Sequence, residues 1–540
     1  MDGDDNAKKH IQEFEKARSM RFNFENQWQD IRELVRPNTA DFNRNTTQGD
    51  RRTENIFDGT APWALEQFAA GLDSFLTSPT ERWFNISLAG DKGEDLSDEA
   101  LAWLEHVSDV IFKEYAKPQV NLNPCLHEVY QDLGAFGTSV LYQDWDYDNR
   151  CVHFRSFPLA DCYIKENSKG LVDTMYRMTI MSARQIMDEF TRPEDTIPPK
   201  IIEVASKDAD KTYKVIHCVR PRTELKQTGL GAKKKKFASC WVVHELKATL
   251  RERGYDDFPY HVPRWTKLAG EQYGRSPAMT CLPDIKMINT MSRVIIVGAQ
   301  KMIDPPLIVP DDGFMLPIKT SPGSLIFKAA GQEDTIQPLN TNGRPDIGLD
   351  MMTQRRDHIT KSFYVDWIIR QKKNERQTTT EIVDDRNEML RQMSPMLGRT
   401  EVELLSPLII RTYNLKMAAG HIPPAPDSLL QKKLEITYVS PAALAQYGSK
   451  AQGIQQFMQD LAVLSPIAPE VMDVFDIDVA GQELAKLRNV TRKVIRSPDA
   501  IAQRRNDRAQ QAQAQQMVAA GRELAATTKD LSVAKKNGGI

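Results

Sequence analysis

The run from Glu271 to Pro306, EQYGRSPAMTCLPDIKMINTMSRVIIVGAQKMIDPP, is apolar on nearly every side of the helix it predicts. Met279, Leu282, Ile285, Ile288, Met291 and Val294 recur every third residue, so at about 3.6 residues per turn the row slips around the helix instead of forming one stripe. Ile295, Ile296 and Val297 widen it. Pro277 and Pro283 suit a helix start, and Asp304-Pro305-Pro306 stops it, because proline fixes φ and lacks the amide donor. Two coverings fit such a helix: the core of a large domain, or copies of the same helix packed side by side in a ring. A membrane span does not fit, because Asp284, Lys286, Arg293 and Lys301 interrupt a segment that would need about 20 mostly apolar residues.

Elsewhere the pattern predicts an α+β chain, predominantly helical. A first helix is expected over Ala7–Arg36, carried by Phe24, Trp28, Ile31 and Val35 and stopped by Pro37. A second is expected over Pro62–Leu76, a short strand over Trp83–Leu88, and a third helix through Leu101, Leu104, Ile111 and Tyr115. From Leu126 a helix broken at Gly134 and Gly137 should pass into a strand, turn at Asp146–Asn149 and return over Cys151–Phe157. A further hairpin turns at Asn167–Gly170, and strands near Tyr213–Arg220 and Phe237–Glu245 flank a loop with Lys233, Lys234, Lys235 and Lys236. These strands come in hairpins and not in βαβ units.

After the opening helix, Asp304–Pro345 is punctuated by proline and glycine, with short strands expected at Leu307–Val309 and Ser324–Phe327. A helix follows over Asp346–Ile369, then the polar link RQKKNERQTTT, then a long helix from Thr380 towards Ala419, kinked at Pro395 and Pro407. Two long helices flanking an insert let it project from the body. The end, Gln446–Ile540, is helical in pattern and drifts to low complexity. Between Lys486 and Arg508 there are eight basic and two acidic residues, which fits a solvated face or a surface that meets DNA or another acidic partner.

At 540 residues the chain should divide into several modules. Its 71 basic and 73 acidic side chains leave a net charge of −2, so it is not the strongly basic object expected of a DNA-coating protein. Six cysteines are scattered without a C-x-x-C pair, which argues against a disulfide framework and a zinc site and points to synthesis in a reducing cytoplasm. The amino terminus MDGDDNAKKH has no apolar core, so no signal peptide is expected. No Walker loop, H-E-x-x-H or G-x-S-x-G occurs, and the pairs Asp311-Asp312 and Asp384-Asp385 read as turn or exposed helix. No catalytic residues, metal ligands or cofactor are therefore assigned. The cations Arg370, Lys372, Lys373 and Arg376 are the best local candidates for phosphate contact, since cations on a polar loop can track a backbone without reading sequence; a solvated loop is the alternative.

Six collinear segments together resemble the portal, or head-to-tail connector, proteins of short-tailed bacteriophages. They are RFNFENQWQDIRELVRP, IFDGTAPWALEQFAAGLDSFLTSPTERWFNISL, VYQDLGAFGTSVLY, YGRSPAMTCLPDIKMINTMSR with KMIDPPLIVPDDG, TTTEIVDDRNEML, and ELLSPLIIRTYNLKMAAGHIPPAP, covering about Ala7 to Pro426. The resemblance implies a dodecameric ring at one vertex of the phage head, assembled in the host cytoplasm, through which double-stranded DNA enters during packaging and leaves during ejection. It implies an α+β wing over 1–275 and a first stem helix over 276–303, whose packing residues would be Met279, Leu282, Ile285, Ile288, Met291, Val294 and Ile295. A clip would occupy 304–345, the second stem helix 346–369 and a channel loop 370–379. A kinked helix with the wing return would follow over 380–440, and a crown over 441–540. The partners implied are the terminase large subunit, tail adaptor or nozzle proteins, and the major capsid and scaffold proteins, with no membrane. The family hydrolyses nothing, and ATP is used by the separate terminase. The rival readings are another structural virion protein, such as a scaffold or tail tube, and a packaging ATPase or nuclease. The latter would need a nucleotide or metal motif, and a scaffold should lack the hairpins.

Overall fold

A computed structural model describes residues 4–43, 49–88, 98–193, 195–222, 234–303, 307–308, 337–338, 345–368, 393–429, 434–439 and parts of 451–463, 476–487 and 501–518. The chain divides into two compact units, one of Met1–Phe84 with Val107–Pro424 and one of Asn85–His106 with Ala425–Ile540. Residues 85–106 thus group with the C-terminal segment and not with the rest of the first 275.

The first unit opens with α1 (Asp5–Leu34), capped by the Asp4 carboxylate, which accepts from Asn6 N. Helices α2 (Thr60–Leu76), α3 (Asp98–Tyr115, shared with the second unit) and α4 (Leu122–Phe136) follow, with β1 (Phe84–Leu88) between α2 and α3. Gly134 does not break α4. It lies inside the helix because a Cβ there would meet Leu65 Cδ1 at 2.6 Å and Phe68 Cδ1 at 2.7 Å, so its bare backbone lets α2 and α4 approach closely. Gly137 is the true end, with φ +74° at the helix C-cap.

Two antiparallel sheets follow. The smaller has the order β3-β2-β9, with β2 (Val140–Asp146), β3 (Cys151–Phe157) and β9 (Tyr260–His261). The larger is a meander in chain order, of β4 (Cys162–Glu166), β5 (Val172–Ser182), β6 (Thr212–Pro221), β7 (Phe237–Val243) and β8 (Ala248–Tyr255). Alternation along the strands sends adjacent residues to opposite faces. On one face Tyr163, Tyr176, Ile216, Cys218, Ala238 and Cys240 pack against Phe14 and Ala17 of α1. On the other, Tyr213, Val215, Val243 and Leu250 pack against α5 (Ala183–Glu189) and α6 (Pro199–Lys207) through Ala183, Ile186, Phe190 and Ile201. The hairpin expectation holds, but α5, α6, β8 and β9 have no counterpart in the sequence reading.

The remainder of the first unit is α7 (Pro277–Ile303), the two-residue strands β10 (Leu307–Ile308) and β11 (Gln337–Pro338), α8 (Pro345–Ser362) and α9 (Val365–Ile368). The two strands pair antiparallel, with Leu307 opposite Pro338. Val309 and Ser324–Phe327 lie outside the described residues. The helix expected over 346–369 ends at Ser362, since Tyr364 takes φ +60° before α9 begins. Helical residues 393–400 lead into a π-turn, Glu401–Leu405, and the helix Ser406–Ala418. The wide turn stands where a kink at Pro407 is expected, and Pro395 lies within the helical stretch 393–400. In the second unit β12 (Leu434–Tyr438) pairs with β1, with the Ser87 and Thr437 hydroxyls 2.8 Å apart, and Ile477–Leu487 forms a helix.

Candidate channel helices and assembly surface

Helix α7 springs from a crossing of two backbone segments. A Cβ on Gly274 would lie 2.1 Å from Gly137 O, and one on Gly137 would lie 2.6 Å from Arg275 C. The approach is fixed by Gly274 N donating to Thr138 Oγ1 (2.8 Å) and Trp265 N donating to Gly137 O (2.9 Å). Ser276 completes the junction. Its hydroxyl donates to Ala135 O (2.7 Å), tying α7 to α4, and accepts from Met279 N (3.0 Å), capping the first turn.

Along α7 the surroundings change. Met279, Leu282, Ile285 and Ile288 are buried in the body of the chain. Met291 and Ile295 are half-buried, and Val294 is 63 % exposed. Ile296, Val297 and Ile303 are also exposed, the last to 85 %. Its partner α8 runs antiparallel: Asp284 accepts from Arg355 (2.8 Å) and pairs with His358 (2.6 Å), while Gly348 lies beside Ile295 eleven residues further along α7. Leu349 and Met351 of α8 are exposed as well. The segment Asn55–Asp58 straps both helices. Asn289 donates to Asn55 O (2.8 Å) and accepts from Phe57 N (2.7 Å), and Arg356 donates to Asp58 (2.8 Å). Burial would raise the Asp58 carboxyl, but hydrogen bonds from Thr60 and Arg356 hold it below the usual carboxylate value.

Other charges on α7 that speak against a membrane span are also placed. Lys286 pairs with Asp30 of α1 (2.6 Å), and the Arg293 guanidinium lies over the Phe57 ring. Among the described residues no helix is long and apolar enough to cross a membrane.

A fully buried arginine, Arg264, stands between β9 and α7. Its guanidinium and amide donate to both carboxylate oxygens of Glu403, to Glu166, and to the carbonyls of Gln272 (3.1 Å) and Gly170 (2.8 Å). Lys267 also binds Glu166, and Arg399 also binds Glu403. One cation thereby joins the β4–β5 turn, the approach to α7 and the π-turn.

The sequence profile of the bacteriophage head to tail connecting protein family matches residues 7–495. The chain belongs to that family. It is also 28 % identical over 538 residues to a probable portal protein of Bordetella phage BPP-1, covering 96 % of this chain and 95 % of the relative. A portal protein of Salmonella phage epsilon15 is 27 % identical over 537 residues, covering 97 % and 94 %.

In this head-to-tail connecting protein the four loop cations, Arg370, Lys372, Lys373 and Arg376, lie outside the described residues, as do Asp311-Asp312, Asp384-Asp385 and Lys233. Lys234, Lys235 and Lys236 immediately precede β7, and Lys235 pairs with Asp256 (2.7 Å). All six cysteines are free and buried, and burial pushes the thiols of Cys162, Cys240 and Cys281 up to about 12, far from a reactive thiolate. No group of three or more His, Cys, Asp or Glu able to hold a metal occurs among the described residues. Buried histidines are structural: His217 shares hydrogen bonds with the Tyr260 and Ser239 hydroxyls (2.8 and 2.9 Å), and burial holds its pKa well below the ordinary value.

Sequence reading missed Arg264, Glu403 and Gly274. Arg264 and Glu403 are 139 residues apart, and nothing local marks either. Gly274 does carry a signal, since a glycine three residues before a helix-starting proline invites the question of what its backbone approaches.

Proposed function

We propose that the chain is the portal protein of a bacteriophage: copies assemble as a ring, most simply a dodecamer, around the path of double-stranded DNA at the junction of head and tail. The observation that carries this reading is the collinear match across 94–97 % of both chains to proteins named as portal proteins. The α7–α8 pair supports the ring. Val294, Ile296, Val297, Ile303, Leu349 and Met351 leave the body of the chain uncovered, and lateral copies of the same pair would bury them.

In this reading α7 and α8 are the stem, residues 304–345 the clip that docks the terminase and then the tail adaptor, and 441–540 the crown within the head. Capsid and scaffold proteins meet the ring from outside. The protein is a conduit and hydrolyses nothing. DNA carries a charge about every 1.7 Å, so a uniformly basic wall would hold it, whereas a chain of net charge −2 with sparse cation rings lets it slide. Arg370, Lys372, Lys373 and Arg376 are the proposed ring that faces DNA.

Electron microscopy of the purified protein should give top views with a central hole and rotational symmetry, and Val294→Asp with Val297→Asp should abolish them while the subunit stays folded. Particles without a hole or symmetry would overturn the reading. Replacing the four cations with alanine should leave rings intact and impair DNA packaging or retention, and normal genome filling would remove their assignment.

A further inference from the structure

We propose that the α7–α8 pair carries two different assembly flanks on opposite sides, and that each copy lays its methionine flank on the isoleucine and leucine flank of the next, head to tail. The inference rests on the ring reading above and adds a polarity to it.

The flanks follow from the phase of the two helices. Ile295 meets α8 at Gly348, its Cδ1 3.3 Å from where a Cβ there would stand. Successive helical residues are turned by about 100°, so Val294 and Ile296 leave α7 on opposite sides of the pair. Met287 and Met291, seven and three residues before Val294, share its side. Ile303, seven residues after Ile296, shares the other. On α8, Leu349 and Met351 diverge from Gly348 in the same manner, one by about 100° one way and the other by about 60° the opposite way.

The strap Asn55–Asp58 fixes which side of α8 goes with which side of α7. It holds Asn289, seven residues before Ile296, and Arg356, seven residues after Leu349. Ile296, Ile303 and Leu349 therefore share the strapped flank, where Phe57 is also exposed beside Asn289. Met287, Met291, Val294 and Met351 form the opposite flank, all exposed except the half-buried Met291. The side of α8 turned away from α7 is exposed too, but it presents Asp350, Gln354, Asp357 and Lys361. Exposed apolar groups on α8 are thus confined, among the described side chains, to the two flanks.

One apolar flank could seat any partner. Two of different composition, on opposite sides and at the same level, are what a head-to-tail repeat of one chain requires, because each copy offers one flank and covers the other. A two-fold dimer would set one flank against itself and leave the other in water. The two surfaces also suit each other, since unbranched methionine side chains adapt to branched isoleucine and leucine, and Met287 stands near the level of the Phe57 ring on the strapped flank.

Cysteine cross-linking of the full-length chain tests the pairing, since the six native cysteines are buried. Co-expressed Val294→Cys and Ile296→Cys chains, treated with a short bismaleimide, should give a cross-linked dimer on a denaturing gel, and either variant alone should stay monomeric. The Val294→Cys/Ile296→Cys double variant should give a ladder of higher species. A dimer from Val294→Cys alone would set that flank against itself and overturn the proposal. Met351→Cys with Leu349→Cys, on the other helix, is the second pair should the first perturb α7, and it should give the same pattern; no cross-link from either pair would also overturn the proposal. Rings in electron microscopy without these cross-links would sink the flanks and keep the ring, whereas a ladder from particles with no central hole would keep the flanks and sink the ring.

Discussion

Gly274→Ala adds a single carbon where the chain entering α7 crosses the end of α4. Its contact at 2.1 Å would be with Gly137 O, a backbone atom that has no rotamer by which to escape, and a second contact at 3.0 Å would be with Arg264 Cβ. Reaching 3.4 Å, the edge of ordinary contact, means parting the segments by 3.4 − 2.1 = 1.3 Å. That movement stretches Gly274 N to Thr138 Oγ1 (2.8 Å) and Trp265 N to Gly137 O (2.9 Å) beyond useful length. Overpacking costs about 1–3 kcal/mol and a buried hydrogen bond left unmade about 1–3 kcal/mol, so a loss of roughly 3–5 kcal/mol is expected. Gly298→Ala, within α7 itself, is the control: nothing lies within 4 Å of its added Cβ, and alanine should stabilise by about 0.5–1 kcal/mol. Equilibrium urea unfolding followed by tryptophan fluorescence measures both, with Trp28 and Trp265 buried near the junction. A Gly274→Ala protein within about 0.5 kcal/mol of wild type would refute the account of the crossing.

Acid should weaken the fold from about pH 6.5 downward. Burial lowers His261 to about 3 and His10 to about 4, and lowers His217 well below its ordinary value, so the unfolded chain takes up protons that the folded one refuses. Each contributes a slope of up to about 1.4 kcal/mol per pH unit, present in full above the unfolded value and lost as pH falls towards the folded one. Asp132 opposes them: burial pushes it up to about 6 despite Arg36, so its contribution is lost as pH rises through that value. The raised carboxyls of Asp73, Asp161 and Glu401 oppose the histidines in the same way, so the test is the difference between variants: His261→Gln should flatten the fall in urea midpoint between about pH 6.5 and 4.5, and an unchanged slope in that variant would contradict the assignment. Lys416→Met should destabilise by about 1–3 kcal/mol, since it strips one of two lysines from buried Glu114 and leaves Lys117 in place, and adding Glu114→Gln should restore much of the loss. A double variant no more stable than the single one would show that the pair matters through packing alone.

The elements legible in the sequence are those whose periodicity is long and whose burial is local. In α1 the spacing of Trp28, Ile31 and Val35 marks a buried face, and all three are buried. Strands β2 and β3 were legible because the Asp146–Asn149 turn separates two short apolar runs. Strand β8 was not: ATLRERGY carries three charges, as an edge strand can, and its place follows from pairing with β7. Among the described side chains of α8 only Met352 and Ile359 are buried and apolar, and its antiparallel fit against α7 also uses Asp284, Arg355 and His358, which no periodicity reveals. Arg264 lies further still from any local signal, since its role exists only once four distant segments meet.

Periodicity alone could not decide between a core helix and a helix covered by copies of itself, because both coverings leave the same apolar row in the sequence. The first covering applies to the first half of α7, and the second is the one proposed for the rest. Up to Ile288 the row is covered by the chain's own α1, α4 and α8, and the Gly137–Gly274 crossing fixes its direction. Beyond Met291 one side faces α8 through Ile295, and Val294, Ile296 and Val297 are exposed. An apolar surface that begins where the body ends is the pattern expected of a helix rooted in its own fold and completed by a neighbour. The same argument explains why Val294, at the end of a row that started in the core, is the residue at which a charge should break assembly without unfolding the subunit.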